Sequence, residues 1–145
     1  MPGTPTPVDP YGAFNFLVEI DGVTKAGFAE CRGLSGEASV IEYREGGDAN
    51  TVRKLPGLIR YPSITLVRGL TQDKNLWNWW TQTVNGQPAR TNGTITLLDR
   101  ARNAVAQWSF RNGWPSKWEG PPLNAKGNDI AIETLEITHE GIDWK

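Results

Sequence analysis

Apolar and polar residues alternate at period two through most of this 145-residue chain, and only one stretch, 71–86, shifts to helical spacing. A strand turns successive side chains to opposite faces, so this rhythm commits the chain to half-buried sheets. In "FNFLVEI", Phe14, Phe16, Val18 and Ile20 share one face, with Asn15 and Glu19 on the other. Asp21-Gly22 then predicts a tight hairpin turn, because glycine accepts a positive φ without a Cβ clash. The return strand runs through Phe28 to Cys31. Further strands are expected around 39–44, in "GLIRYPSITLVRG", in "GTITLLDR" and in "AVAQWSFRN", where Ala104, Ala106, Trp108 and Phe110 share a face. Pro62 donates no hydrogen bond, which argues against a central paired position there. Asn92-Gly93 reads as a turn before a strand, and 113–128, rich in proline and glycine, as a loop. The closing run "IAIETLEITHEGIDW" changes phase, with Ile130 and Ile132 on one face and Leu135 and Ile137 on the other. A bulge near Glu133-Thr134 reconciles them, and so does burial on both faces.

The helical stretch is "TQDKNLWNWWTQTVNG". Leu76, Trp77, Trp80 and Val84 recur at helical spacing and form the face expected to dock on the sheet, with Trp108 beneath. Trp79 points away from that seam, as an exposed or intersubunit aromatic. Thr71 is the expected N-cap, Asp73 sits in the first turn, and Asn85-Gly86 ends the helix. The expected class is therefore mainly β: an antiparallel sandwich or barrel of six to seven strands, one short helix at about 72–84, and an extended hairpin arm at about 43–58. Residues 1–145 are expected to form a single domain, with 1–12, carrying prolines at 2, 5, 7 and 10, as an extended N-terminal arm.

Several function classes find no support. Fifteen basic residues against sixteen acidic ones leave no surplus for phosphate, so specific nucleic-acid binding is not expected. One cysteine, Cys31, and one histidine, His139, make a disulfide framework and a zinc site improbable, and Cys31 reads as a small buried residue. No glycine-rich phosphate loop or nucleophile elbow occurs; Glu133, Glu136 and Glu140 read as solvated strand acids. Neither enzyme nor cofactor is expected. Asn92-Gly93-Thr94 matches a glycosylation sequon by letter only. The N-terminus lacks the features of a secretory signal, and no run is long enough to span a membrane, so synthesis and folding in the cytoplasm are expected. Seven tryptophans keep one rival open, a β-sandwich that stacks sugars on Trp faces.

The most informative segment is "EYREGGDANTVRKLPGLI", residues 42–59. Glu45, Gly46, Gly47, Asp48 and Asn50 cannot form a core, Gly46-Gly47 lets the backbone fold back, and "TVRKLPGLI" restores strand character at once. The reading is a hairpin arm that reaches beyond the domain body. This segment lies between "FNFLVEIDGVTKAGFAECRGLSGE" and a helix containing "LWNWW", and "NAVAQWSFRNGWPSKWEGPPLNAKGNDIAIETLEITHEGI" closes the chain. Over roughly residues 11–144 the whole resembles the inner tail tube family of contractile phage tails, R-type pyocins and extracellular contractile injection systems. Ala49 and Pro62 stand where that family often has more polar residues.

The resemblance implies a non-catalytic building block: six subunits close their strands into one barrel around a lumen, and rings stack into a tube inside a contractile sheath. The implied partners are five further copies in the ring, the sheath protein, baseplate, spike and cap proteins, and cargo or genome in the lumen. Sharing edge strands between neighbours removes unpaired backbone groups, and a head-to-tail contact closes a ring when its rotation allows. In that picture Tyr43, Arg44, Glu45, Gly46, Gly47, Asp48, Asn50, Arg53, Lys54 and Leu55 make the subunit-to-subunit and ring-to-ring contact. Glu45 and Asp48 near the tip and Arg53 and Lys54 on the return give the arm complementary charges for a neighbouring arm. The N-terminal arm and 113–128 are secondary contacts.

Overall fold

The computed structural model describes residues 9–44, 46, 47 and 50–145. Among them the order is β1 (Phe16–Ile20), β2 (Thr24–Gly27), β3 (Glu30–Arg32), β4 (Glu37–Tyr43), β5 (Arg53–Arg60), β6 (Ile64–Gly69), α1 (Asn75–Val84), β7 (Thr91–Leu98), β8 (Ala104–Glu119), β9 (Ile132–Thr138) and β10 (Gly141–Trp144). Eight strands form one sheet in the order β2-β1-β7-β8-β9-β6-β3, with β10 also on β8, while β4 and β5 form a separate ribbon. Every pairing is antiparallel, and the chain is mainly β with one short helix. There are more strands than six or seven because three expected runs each break in two. The breaks fall at Phe28-Ala29, around Pro62, and at His139-Glu140.

The first break shapes the barrel. β2 and β3 stand at opposite ends of the strand order yet only two residues separate them. The sheet must therefore curl until its ends meet, which its right-handed twist favours. β8 is the other organiser. Its first half lies between β7 and β10, and its second half pairs with β9. Asn112, at φ 52°, bends it, and its N–H donates to Asn92 Oδ1 at 3.0 Å. Residues 113–119 are thus strand rather than loop. Asn92-Gly93 lies inside β7 and is not a turn; any Cβ at Gly93 would enter the Phe110 ring.

The inward face collects Val18, Ile20, Ile64, Leu66, Ile95, Phe110, Leu135 and Ile137, all buried. Full burial of one such side chain contributes about 1.5–3 kcal/mol. Phe14 and Ala104 do not join that face: Phe14 precedes β1 and is exposed, and Ala104 at the start of β8 is exposed too. The phase change in β9 has a different cause from a bulge or two-sided burial. β9 pairs with β6 in unbroken register, Ile64 with Ile137, Leu66 with Leu135 and Arg68 with Glu133. An acid, Glu133, holds the third inward position, so Ile130 and Ile132 face out.

The helix also differs in detail. It begins at Asn75, and Thr71 does not cap it. Asp73 Oδ1 accepts the Asn75 N–H at 2.8 Å from outside the first turn, while Thr71 Oγ1 accepts the Asp73 N–H at 3.2 Å. Asn85 and Gly86, at φ 80°, end it as expected. Leu76 and Trp79 are its buried residues; Trp77 and Val84 are exposed and Trp80 only partly covered. The docking face is thus turned from the expected one. Two polar bonds fix that rotation: Trp79 Nε1–H donates to the Ala89 carbonyl at 2.8 Å, and Thr83 Oγ1–H to the Pro115 carbonyl at 2.9 Å. Trp108 is not under the helix but stacks on Trp144, with ring centres 5.9 Å apart. Trp118 takes its place, edge-on to Trp77 at 4.8 Å.

Candidate assembly interface

The arm is built from its root upward. Gly33, at φ 94°, lies so close to the Ser63 carbonyl that a Cβ would collide with it. Gly36 lets the Tyr61 ring come within about 3.1 Å of where its Cβ would be. These two glycines bring the outgoing and returning stalks together. Between them rises the β4–β5 ribbon, longer than the expected 43–58 because pairing already starts at Glu37 and Arg60. The register pairs Ile41 with Leu55, Glu42 with Lys54 and Tyr43 with Arg53, and slips between Ala38 and Val40. Gly57 packs there against Ser39 and Ile41.

Nearly every ribbon residue is exposed. Val40, Ile41, Tyr43, Val52, Leu55, Leu58 and Ile59 all leave large apolar surfaces in water, Leu58 at 81%. Alternation spreads them over both faces: Ile41, Tyr43 and Leu55 on one, Val40 and Ile59 on the other. A two-stranded ribbon of this kind has no core of its own and is at best marginal alone. Opposite charges, Glu37 with Arg60 and Glu42 with Lys54, stand across from each other in register. Of the expected tip residues, Arg44, Gly46, Gly47 and Asn50 are exposed near the ribbon's end, and Arg53, Lys54 and Leu55 begin its return. Glu45 and Asp48, and residues 1–8 of the N-terminal arm, lie outside the described residues.

The barrel offers further edges. β2 pairs only with β1, β3 only with β6, and β10 only with β8, among the described residues. Beside β6 lies a buried ionic cluster that the sequence reading missed. Arg68 Nε donates to Glu133 Oε1 at 2.5 Å and Nη1 to Asp73 Oδ2 at 3.4 Å, while the guanidinium sits 5.5 Å from the Phe28 ring centre. Trp118 Nε1–H donates to the other Glu133 oxygen at 3.2 Å. Both carboxylate oxygens are satisfied, which is what allows a charge to remain in a core. Opposite signs at facing positions of two apolar strands are the signal that would have revealed it.

The side chains singled out for chemistry are dispersed among the described residues. Cys31 is half-buried, and burial pushes its thiol up to about 11, away from the thiolate a nucleophile needs. His139 is buried, with its ring hydrogen-bonded to backbone. Glu136 and Glu140 hold no shared geometry with Glu133: the Glu140 carboxylate accepts from Asn112 Nδ2, and the Glu136 carbonyl accepts from Ser116. Among the described residues no three His, Cys, Asp or Glu side chains cluster as a metal site requires, and no helix is long and apolar enough to cross a membrane.

Known structures share this architecture. A chain of the PVC sheath-tube complex of an extracellular contractile injection system, in its extended state, is 26% identical over 94% of this chain and 91% of that chain, with a TM-score of 0.85. A chain of the anti-feeding prophage cap (the AFP tube terminating cap) is 24% identical over 99% of this chain and 95% of that chain, at TM-score 0.88. Hcp1 from Flavobacterium johnsoniae has the same fold more distantly, 14% identical over 89% of this chain and 93% of its own, at TM-score 0.57. No curated protein matches the chain. The family described as T4-like virus tail tube protein gp19 matches residues 12–143, nearly the whole barrel and ribbon, and the chain belongs to that tail tube family.

Proposed function

We propose that the chain is the inner tube subunit of a contractile injection particle, with six copies closing into a ring and rings stacking into a hollow conduit inside a sheath. The observation that carries this reading is the β4–β5 ribbon, which projects large apolar side chains on both faces and buries none of them in its own subunit. Burying that surface against a neighbour is the gain that drives ring formation and stacking. The free edges of β2, β3 and β10 are the second resource, since pairing them with a neighbour satisfies their backbone groups. The function is structural: the subunit supplies a rigid wall, and sheath, baseplate, cap and cargo are its partners. Assembly follows synthesis in the cytoplasm, and the finished particle acts outside it.

A second reading within the same class makes the chain a terminator or baseplate tube component; its likeness to the AFP cap chain favours this. Electron microscopy of the purified protein, alone and with its sheath, separates the two. Tubes that lengthen with time support the main subunit, single rings support the terminator, and a monomer under all conditions overturns both. The double substitution Arg53→Glu with Lys54→Glu is expected to leave the fold intact and stop tube growth. Normal tubes from that variant would remove the arm from the interface.

A further inference from the structure

His139, between β9 and β10, sits where the arm joins the barrel. Its Nε2–H donates to the Pro62 carbonyl at 3.1 Å, and its Nδ1 accepts the Gly141 N–H at 3.2 Å. Those two bonds require a neutral ring with the proton on Nε2. The ring lies 6.0 Å from Tyr61 on one side and 6.0 Å from Phe110 on the other, and His139 is only 6% exposed. Tyr61 in turn covers Gly36, so the imidazole is bonded to the returning stalk at Pro62 and reaches the outgoing stalk through the Tyr61 ring.

We propose that His139 is a pH-sensitive latch for the arm: neutral, it fixes the arm root against the barrel, and protonated, it lets the root loosen and stops tube growth. The inference rests on the tube reading for its consequence, but not for its chemistry. Protonation at Nδ1 turns the acceptor of the Gly141 N–H into a donor. Two donors then face each other, and the Gly141 N–H loses its partner. The Nε2–H donor to Pro62 is kept, so the arm root is released when the buried cation, beside Arg111, leaves its pocket for water and takes that bond with it.

The charges around the ring resist protonation. Arg111 on β8 lies over Gly141 and repels a second cation, although Asp143 on β10 pairs with it at 3.1 Å and softens that effect. On the arm side the titratable group in contact with the ring among the described residues is the Tyr61 phenol, and Phe110 and Pro62 are uncharged. Glu140, in the same turn, is bonded to Asn112 Nδ2. Burial first, and Arg111 with it, hold the imidazole below its usual range, against the raising effect of its two backbone bonds. A free imidazole titrates near about 6.5. The latch therefore contributes fully above that pH and weakens as pH falls below it.

The test is amide hydrogen exchange of the full chain at pH 7.5, 6.5 and 5.5, with rates corrected for intrinsic exchange. Protection in 33–43 and 53–63 is compared with that in 64–69 and 132–138. The expected result is a fall in arm-root protection on the order of tenfold relative to the body across that range. His139→Asn keeps an acceptor for the Gly141 N–H but cannot be protonated, so its ratio should stay flat. Root and body falling together in the native chain, or an equal fall in the variant, overturns the latch. Should the variant not fold, His139 is the only histidine, and its ring signal gives the titration by NMR. A midpoint at or above about 6.5 also overturns the latch. Light scattering of tube growth at the same pH values reads the consequence separately. Native protein that makes no tubes at any pH counts against the tube reading, and the exchange ratio still decides the latch.

Discussion

β5 and β6 are neighbours in the chain and opposites in environment. Ile64 to Arg68 in β6 are all buried, while Arg53 to Arg60 in β5 are exposed except for half-covered Gly57. Both carry branched aliphatic residues and pair antiparallel, β6 with β9 and β3 on its two sides and β5 with β4 alone. The difference lies in what faces them. β6 has the barrel interior on one side, and β5 has only β4. Strand-forming character therefore says that a segment will extend; it does not say whether the surface that completes it belongs to the same molecule.

Substitutions in the body, the helix and the ribbon sharpen that contrast. The largest effect is expected at Glu133→Ala, which strands the buried Arg68 guanidinium and costs about 3–5 kcal/mol in urea unfolding. A change under about 1 kcal/mol would show that the ionic cluster is not part of what holds the body together. Trp79→Phe removes the donor to the Ala89 carbonyl and is expected to cost about 1–3 kcal/mol by the same measurement. Equal loss from Trp80→Phe would contradict the observed orientation of the helix. The smallest effect on stability is expected for Leu58→Ser with Ile59→Ser, within about 0.5 kcal/mol for the isolated subunit. Those two changes should nevertheless slow tube growth at least tenfold. If they destabilise the monomer as much as a core change does, the ribbon packs on its own body and the comparison fails.

Much of this was legible in the residues. The Asp21-Gly22 turn, the helix stop at Asn85-Gly86 and the projecting arm each rest on local chemistry, which a sequence displays directly. The helix face was not legible, because Trp77, Trp79 and Trp80 put an aromatic on nearly every side of one turn. Hydrogen bonds to Ala89, just past the helix, and to Pro115, 32 residues beyond Thr83, made the choice. Glu133 was misread for the same reason. An acid among isoleucines looks like a phase change until the partner strand supplies Arg68. The arm's length was underestimated because Glu37 to Val40 and Pro56 to Arg60 become a ribbon only through their mutual pairing.

The two-residue crossing from β2 to β3 has a mechanical consequence. Where the cylinder wall would otherwise need a ladder of weak bonds, it has a covalent tether, so this meridian can widen slightly under load but cannot peel open. A pipe made of such units gives a little around its circumference when thrust through an obstacle, and no unit unrolls.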